Sequence, residues 1–139
     1  SGLKRYTQIS DQPVTALLKD LTQRGLLDET LVVWGGEMGR LPISQLTGDK
    51  DPGKSGRDHN RNAICTWFAG GGTKAGIVHG TTDELGFSAV EDKVSVPDWH
   101  ATILHLLGLH HEELFIDRNG LKERLTGVSP ARMISNVIA

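Results

Sequence analysis

Only one cysteine, Cys65, occurs in the 139 residues, so no disulfide can form within the chain. Cys65 lies inside the apolar run "AICTWF", and a buried small hydrophobe is the simplest reading of it. Apolar runs are short as well. None approaches the roughly 18 residues that a membrane span needs, and no signal-peptide pattern is visible. Excess charge of either sign is also missing. The net charge of −2 leaves no basic stripe for a polyanion, so nucleic acid is not an expected partner. Repeats and low-complexity tracts are absent. The hydrophobic share of 37% and charged share of 23% are those of an ordinary globular chain, and 139 residues suit one domain with a core of its own.

What is present points to mixed helix and strand. Residues 11–24, "DQPVTALLKDLTQR", place Val14, Leu17, Leu18 and Leu21 on one helical face. Asp11 is the expected N-cap, Pro13 falls in the first turn and Gly25 supplies the stop. "TLVVW" (30–34) does not alternate, which suits a strand covered on both faces, as in a parallel sheet. Residues 36–62 are polar, aperiodic and rich in Gly, Pro, Asp and Lys, a long loop of the kind that carries function. "AICTWFAGGG" reads as a second apolar strand ending in a turn, and "GIVHG" as a short strand or edge hairpin.

Residues 96–107 form the clearest helix, with Trp99, Ile103, Leu106 and Leu107 on one face and Gly108 as the stop. "SVPD" before it matches a capping box, Ser95 at the N-cap and Asp98 three residues on. "HHEELF" suggests a short helical turn and 130–138 a weak terminal helix. The fold class expected from this order is α/β. In open α/β sheets ligands sit beyond the carboxyl ends of the strands, where Glu37 and the polar loop follow.

The chemistry-bearing residues gather there. Glu37 stands on a glycine-rich turn after a strand, and "GRDHN" (56–60) adds Asp58 and His59. Hard carboxylate oxygens with an imidazole nitrogen suit a divalent transition metal. The competing reading is a set of solvated loop residues. Arg40 and Arg57 offer paired donors to a phosphate or sulfate oxyanion, or salt bridges to loop carboxylates. The glycine run "AGGGTKAG" fails the phosphate-loop spacing and is better read as a turn. His79, His105, His110 and His111 show no metal spacing, His105 reads as a core or boundary residue, and His100 stays open between roles. No G-x-S-x-G elbow marks a serine nucleophile.

The succession "TLVVWGGEMGR", "GRDHNRNAICTWFAGGGTKAGIVHGTTDELGFSAVE" and "VPDWHATILHLLGL" resembles the C-terminal part of the domain of unknown function 1501 family, a sulfatase-like bacterial family in the alkaline phosphatase superfamily. The likeness runs from about residue 7 to residue 128. It implies a three-layer α/β/α sandwich around a mostly parallel sheet, with residues 1–139 as the C-terminal part of one domain whose nucleophile-bearing N-terminal part lies outside them. It further implies a metal-dependent hydrolase of sulfate or phosphate esters, using zinc, manganese, calcium or magnesium. Glu37, Asp58 and His59 would be the metal residues, and Arg40 and Arg57 the oxyanion contacts. Gly36 and Glu37 stand where the superfamily has an acidic or Asp-His pair, so only Glu37 of the two can ligate. That departure admits a non-catalytic module binding an anionic glycan or a protein. A third alternative is that Glu37, Asp58 and His59 merely stabilise the long loop. The expected substrate is a small anionic ester or sulfated glycan, and the expected location periplasmic or secreted.

Overall fold

A computed structural model describes residues 2–45 and 55–139. Helix α1 (Gly2–Gln23) is followed by a 3-10 turn, Leu27–Glu29, and the first strand, β1 (Val32–Trp34). Then come β2 (Gly39–Gln45), β3 (Gly56–Asn60), β4 (Trp67–Ala69), β5 (Thr81–Thr82) and β6 (Ala89–Glu91). Helix α2 (Val96–Leu106), the strands β7 (Phe115–Arg118) and β8 (Leu121–Arg124), and a last 3-10 turn at Ser135–Val137 complete the order.

The strands form two-stranded antiparallel ribbons, β1 with β4, β2 with β3, β5 with β6 and β7 with β8. This overturns the expected mostly parallel α/β/α sandwich. Parallel neighbours need crossovers of a dozen or more residues, usually helical. Here β5–β6 and β7–β8 are each joined directly, without an intervening helix, and β2 pairs with β3 antiparallel. The β7–β8 turn is Asn119–Gly120, both at positive φ (55° and 80°), the two-residue geometry that matches strand twist.

The cover expected over the apolar strands is missing too. Val33 and Trp34 are exposed, and Cys65, expected inside, is also exposed. Trp34 faces Trp67 across the β1–β4 ribbon, their rings 6.1 Å apart and nearly parallel. The ribbon's other face meets α2, where Phe68 lies 5.8 Å from Trp99 and the Trp99 indole donates to Thr66 Oγ1 at 3.2 Å. Among the described residues Ala101 is the one buried apolar side chain. The chain exposes 10697 Å², whereas a compact monomer of 15.1 kDa exposes roughly 7,000 Å².

Both helices end where glycine permits it. Gly25 takes φ +67°, its N–H bonding Thr22 O while Leu26 N bonds Leu21 O, a Schellman stop. Gly108 does the same work after α2 at φ +76°. α1 starts nine residues earlier than the Asp11 cap would have it, with Pro13 in its interior. The capping box forms as expected: Ser95 Oγ accepts from Asp98 N, and Asp98 Oδ2 accepts from Ser95 N.

α2 also anchors the C-terminal segment. Asp98 Oδ1 accepts from Arg132 N at 2.9 Å, and buried Thr102 accepts from Ile134 N at 3.0 Å. Residues 111–113 are a turn rather than helix, and "GIVHG" forms no strand.

Candidate functional site

The polar segment expected as one long loop is in part the β2–β3 hairpin, and that hairpin builds the site. Residues 46–54 of that stretch lie outside the described residues. Gly39 pairs with Asn60 and Arg40 with His59. Two glycines fix the turn before it. A Cβ on Gly35 would lie 2.7 Å from Thr66 Cγ2, and one on Gly39 would overlap the Ala63 carbonyl. Gly36 is different, since its Cβ would meet nothing closer than Met38 O at 3.8 Å. The side-chain-poor turn around Glu37 therefore reflects close packing on both sides of the carboxylate, against the Thr66 side chain at Gly35 and against backbone at Gly39.

Across that turn Glu37 Oε1 comes within 4.0 Å of His59 Nε2. Glu37 is 80% exposed and His59 52%, so both heads can move. Arg40 stands opposite His59 in the ladder, and its Nη1 donates to Arg57 O at 3.3 Å, which lays the guanidinium along β3. Alternation along β3 puts Arg57 and His59 on one face and Asp58 on the other. Asp58 Oδ1 instead accepts from His59 N at 2.7 Å. Of the three expected metal residues, the structure thus brings together Glu37 and His59 and turns Asp58 back onto the backbone. Among the described residues no group of three or more His, Cys, Asp or Glu could hold a metal ion.

The donor atoms present fit half of a cation site. Zinc bonds to nitrogen and oxygen of about 2.0–2.1 Å at a tetrahedral angle put two ligand atoms about 3.3 Å apart. The observed 4.0 Å is a small side-chain adjustment away from that.

The other histidines stay outside this cluster. His100 presents an edge contact with Trp99, centroids 5.0 Å apart, and is exposed. His105, expected at the core or its boundary, is exposed. His111 Nε2 lies 3.2 Å from Ala131 O. His79 lines a cavity of about 250 Å³ with Lys93, Asp98 and Arg132.

Two further residues, without a marked motif of their own, support the hairpin. Asn60 is 2% exposed, and Asp83 gathers the loop packed against it. The Phe87 N–H above all, then those of Ser88, Leu85 and Gly86, hold the Asp83 carboxyl below its ordinary value against a smaller opposing push from desolvation. Asp98 is also held low. Burial pushes it up, but the Arg132 N–H, both Ser95 donors and the Arg132 charge outweigh that. "DELGFS", an aspartate followed by a glycine three residues on, was the available signal for the first of these loops.

Fold and site together define a small chain of helices and antiparallel ribbons with a solvent-facing carboxylate–imidazole pair beside an arginine. The family described as "Protein of unknown function (DUF1501)" matches residues 1–138, and the chain belongs to that family. No curated protein matches it, and no solved structure matches it.

Proposed function

We propose that this chain carries part of the active site of a metal-dependent hydrolase of sulfate or phosphate esters, of the sulfatase-like branch. The observation that carries the reading is the 4.0 Å approach of Glu37 Oε1 to His59 Nε2 on an exposed hairpin edge. Glu37 and His59 would hold a divalent cation, zinc, manganese, calcium or magnesium, with remaining ligands from beyond the pair. Among these, an imidazole nitrogen favours zinc or manganese over the harder calcium and magnesium. Once bound, such a cation acts as a Lewis acid toward an ester oxygen.

The chain's own residues do the rest. Arg40, opposite His59 and fixed by its bond to Arg57 O, offers its remaining N–H groups to a sulfate or phosphate oxygen. Arg57, on the His59 face of β3, adds a second positive charge along the same edge. Asp58 fixes the peptide of His59 rather than serving as a ligand. The attacking nucleophile is none of these residues. A periplasmic or secreted location is the setting proposed for such an enzyme.

A binding-only reading has one observation behind it. The described residues supply two donors rather than a full coordination set. In that reading the same pair and Arg40 hold an anionic glycan or protein without turnover.

The discriminating experiment is hydrolysis of an aryl sulfate and an aryl phosphate by the whole protein, nucleophile-bearing part included, with each cation supplied. Turnover that requires the cation and falls at least about a hundredfold in Glu37→Gln supports the hydrolase. Binding of a sulfated oligosaccharide without turnover, lost in Arg40→Ala, supports the module instead.

A further inference from the structure

We propose that Asn60 is a positioning residue for the Glu37–His59 pair, an assignment that rests on reading the pair as half of a cation site. Asn60 is the one buried residue of β3, while His59 beside it is half exposed. Its amide is nearly saturated. Nδ2 donates to Gly86 O at 3.2 Å and to Phe87 O at 3.0 Å, and Oδ1 accepts from Asn62 N at 2.9 Å. Two carbonyls on one side and an N–H on the other fix which end is nitrogen.

The loop that Asn60 grips is itself held. Asp83 Oδ1 accepts from Leu85 N at 3.1 Å and Phe87 N at 2.9 Å, and Oδ2 from Ser88 N at 2.7 Å. The Phe87 residue is therefore bound twice, its N–H by Asp83 and its carbonyl by Asn60. Ala89 N closes the link by donating to Asn62 O at 3.0 Å.

On the other side, Gly39 pairs with Asn60, and a Cβ there would lie 3.0 Å from Asn60 O. Asn60 is thus the point where the Glu37 turn, the His59 strand and the Asp83 loop meet. The exposed heads of Glu37 and His59 have few contacts of their own to fix their spacing. The backbones set it, and Asn60 ties those backbones to the body of the chain.

Chemistry dictates the amide here. Aspartate at 60 would turn a carboxylate oxygen toward the Gly86 and Phe87 carbonyls, and both would lose their donor.

The test is cobalt(II) binding, read by visible absorption, for wild type, Asn60→Asp and Thr102→Val. Thr102→Val removes an equally buried hydroxyl that joins α2 to residue 134, away from the hairpin. All three proteins are checked for folding by circular dichroism. Asn60→Asp is expected to bind about ten- to a hundredfold more weakly, as supporting residues around metal ligands do. Thr102→Val is expected to bind like wild type.

Equal affinity in Asn60→Asp and wild type overturns the assignment alone. So does an equal loss in Thr102→Val, because it reports general destabilisation. A wild type that takes up no cobalt overturns the cation reading, and this assignment falls with it. If Asn60→Asp does not fold, Asp83→Asn serves in its place. It loosens the same loop from the far side, and a severalfold weakening is the expected result, unchanged affinity the contrary one.

Discussion

Gly39→Ala is the sharpest steric test of the hairpin. Its Cβ would overlap the Ala63 carbonyl and sit 3.0 Å from Asn60 O. Both obstacles are backbone in the neighbouring segment, so no side-chain rotation relieves the clash. β2 has to move away from β3. Overpacking of this kind costs about 1–3 kcal/mol, and rigid backbone on both sides argues for the upper part of that range. Gly36→Ala, three residues earlier, is the matched control. Its φ is not left-handed and its nearest neighbour would be 3.8 Å away. There the methyl restricts only the unfolded chain, a gain of about 0.4–1 kcal/mol. Urea unfolding followed by tryptophan fluorescence reads both, because Trp34 and Trp67 stack across the β1–β4 ribbon and Trp99 joins it to α2. With a slope of about 1–3 kcal/mol per molar urea, Gly39→Ala should lower the midpoint by about 1 M and Gly36→Ala should leave it level or raise it. Equal midpoints in the two variants would refute the claim that close backbone approach dictates glycine at position 39.

Three further outcomes follow from the same geometry. Gly36→Asp fits the open space at that position and adds a second carboxylate beside Glu37, so cation affinity measured by calorimetry should rise about tenfold or more. Asp83 and Asp98 both titrate below the ordinary carboxylate value of 3.8 when folded. The stability they contribute is present above that value and lost as pH falls through their folded pKa values, so the urea midpoint should drop below about pH 4, and less steeply in Asp83→Asn. Cys65 is exposed and should react completely with an aromatic disulfide reagent in the native protein, where a buried thiol would react only after urea is added.

Some local signals in the sequence match the structure, others, such as the Asp11 cap and a strand at 76–80, do not, and long-range pairing is not legible. α2 was legible because "SVPD" and the spacing of Trp99, Ile103, Leu106 and Leu107 act within a few residues. The Gly25 and Gly108 stops belong to the same class. The two apolar strands were seen, but their partnership was not. Val32–Trp34 pair with Trp67–Ala69 across the whole β2–β3 hairpin, and nothing local encodes that register. Their burial was misread for a related reason, since an apolar run shows what a strand would gain from cover, not that cover is there. The Asn119–Gly120 hairpin was encoded locally and overlooked. At the site, Glu37, Asp58 and His59 stand out by residue type, Asp58 either as a ligand or as an orienter of His59. Strand alternation separates Asp58 from its neighbour.

The central claim is that Glu37 and His59 together bind a divalent cation. Equilibrium dialysis against zinc and against manganese, with elemental analysis of wild type, Glu37→Ala and His59→Ala, tests it directly. About one equivalent is expected per wild-type chain, with either substitution weakening binding at least tenfold. A wild type without bound metal, or binding that survives both substitutions, would contradict it.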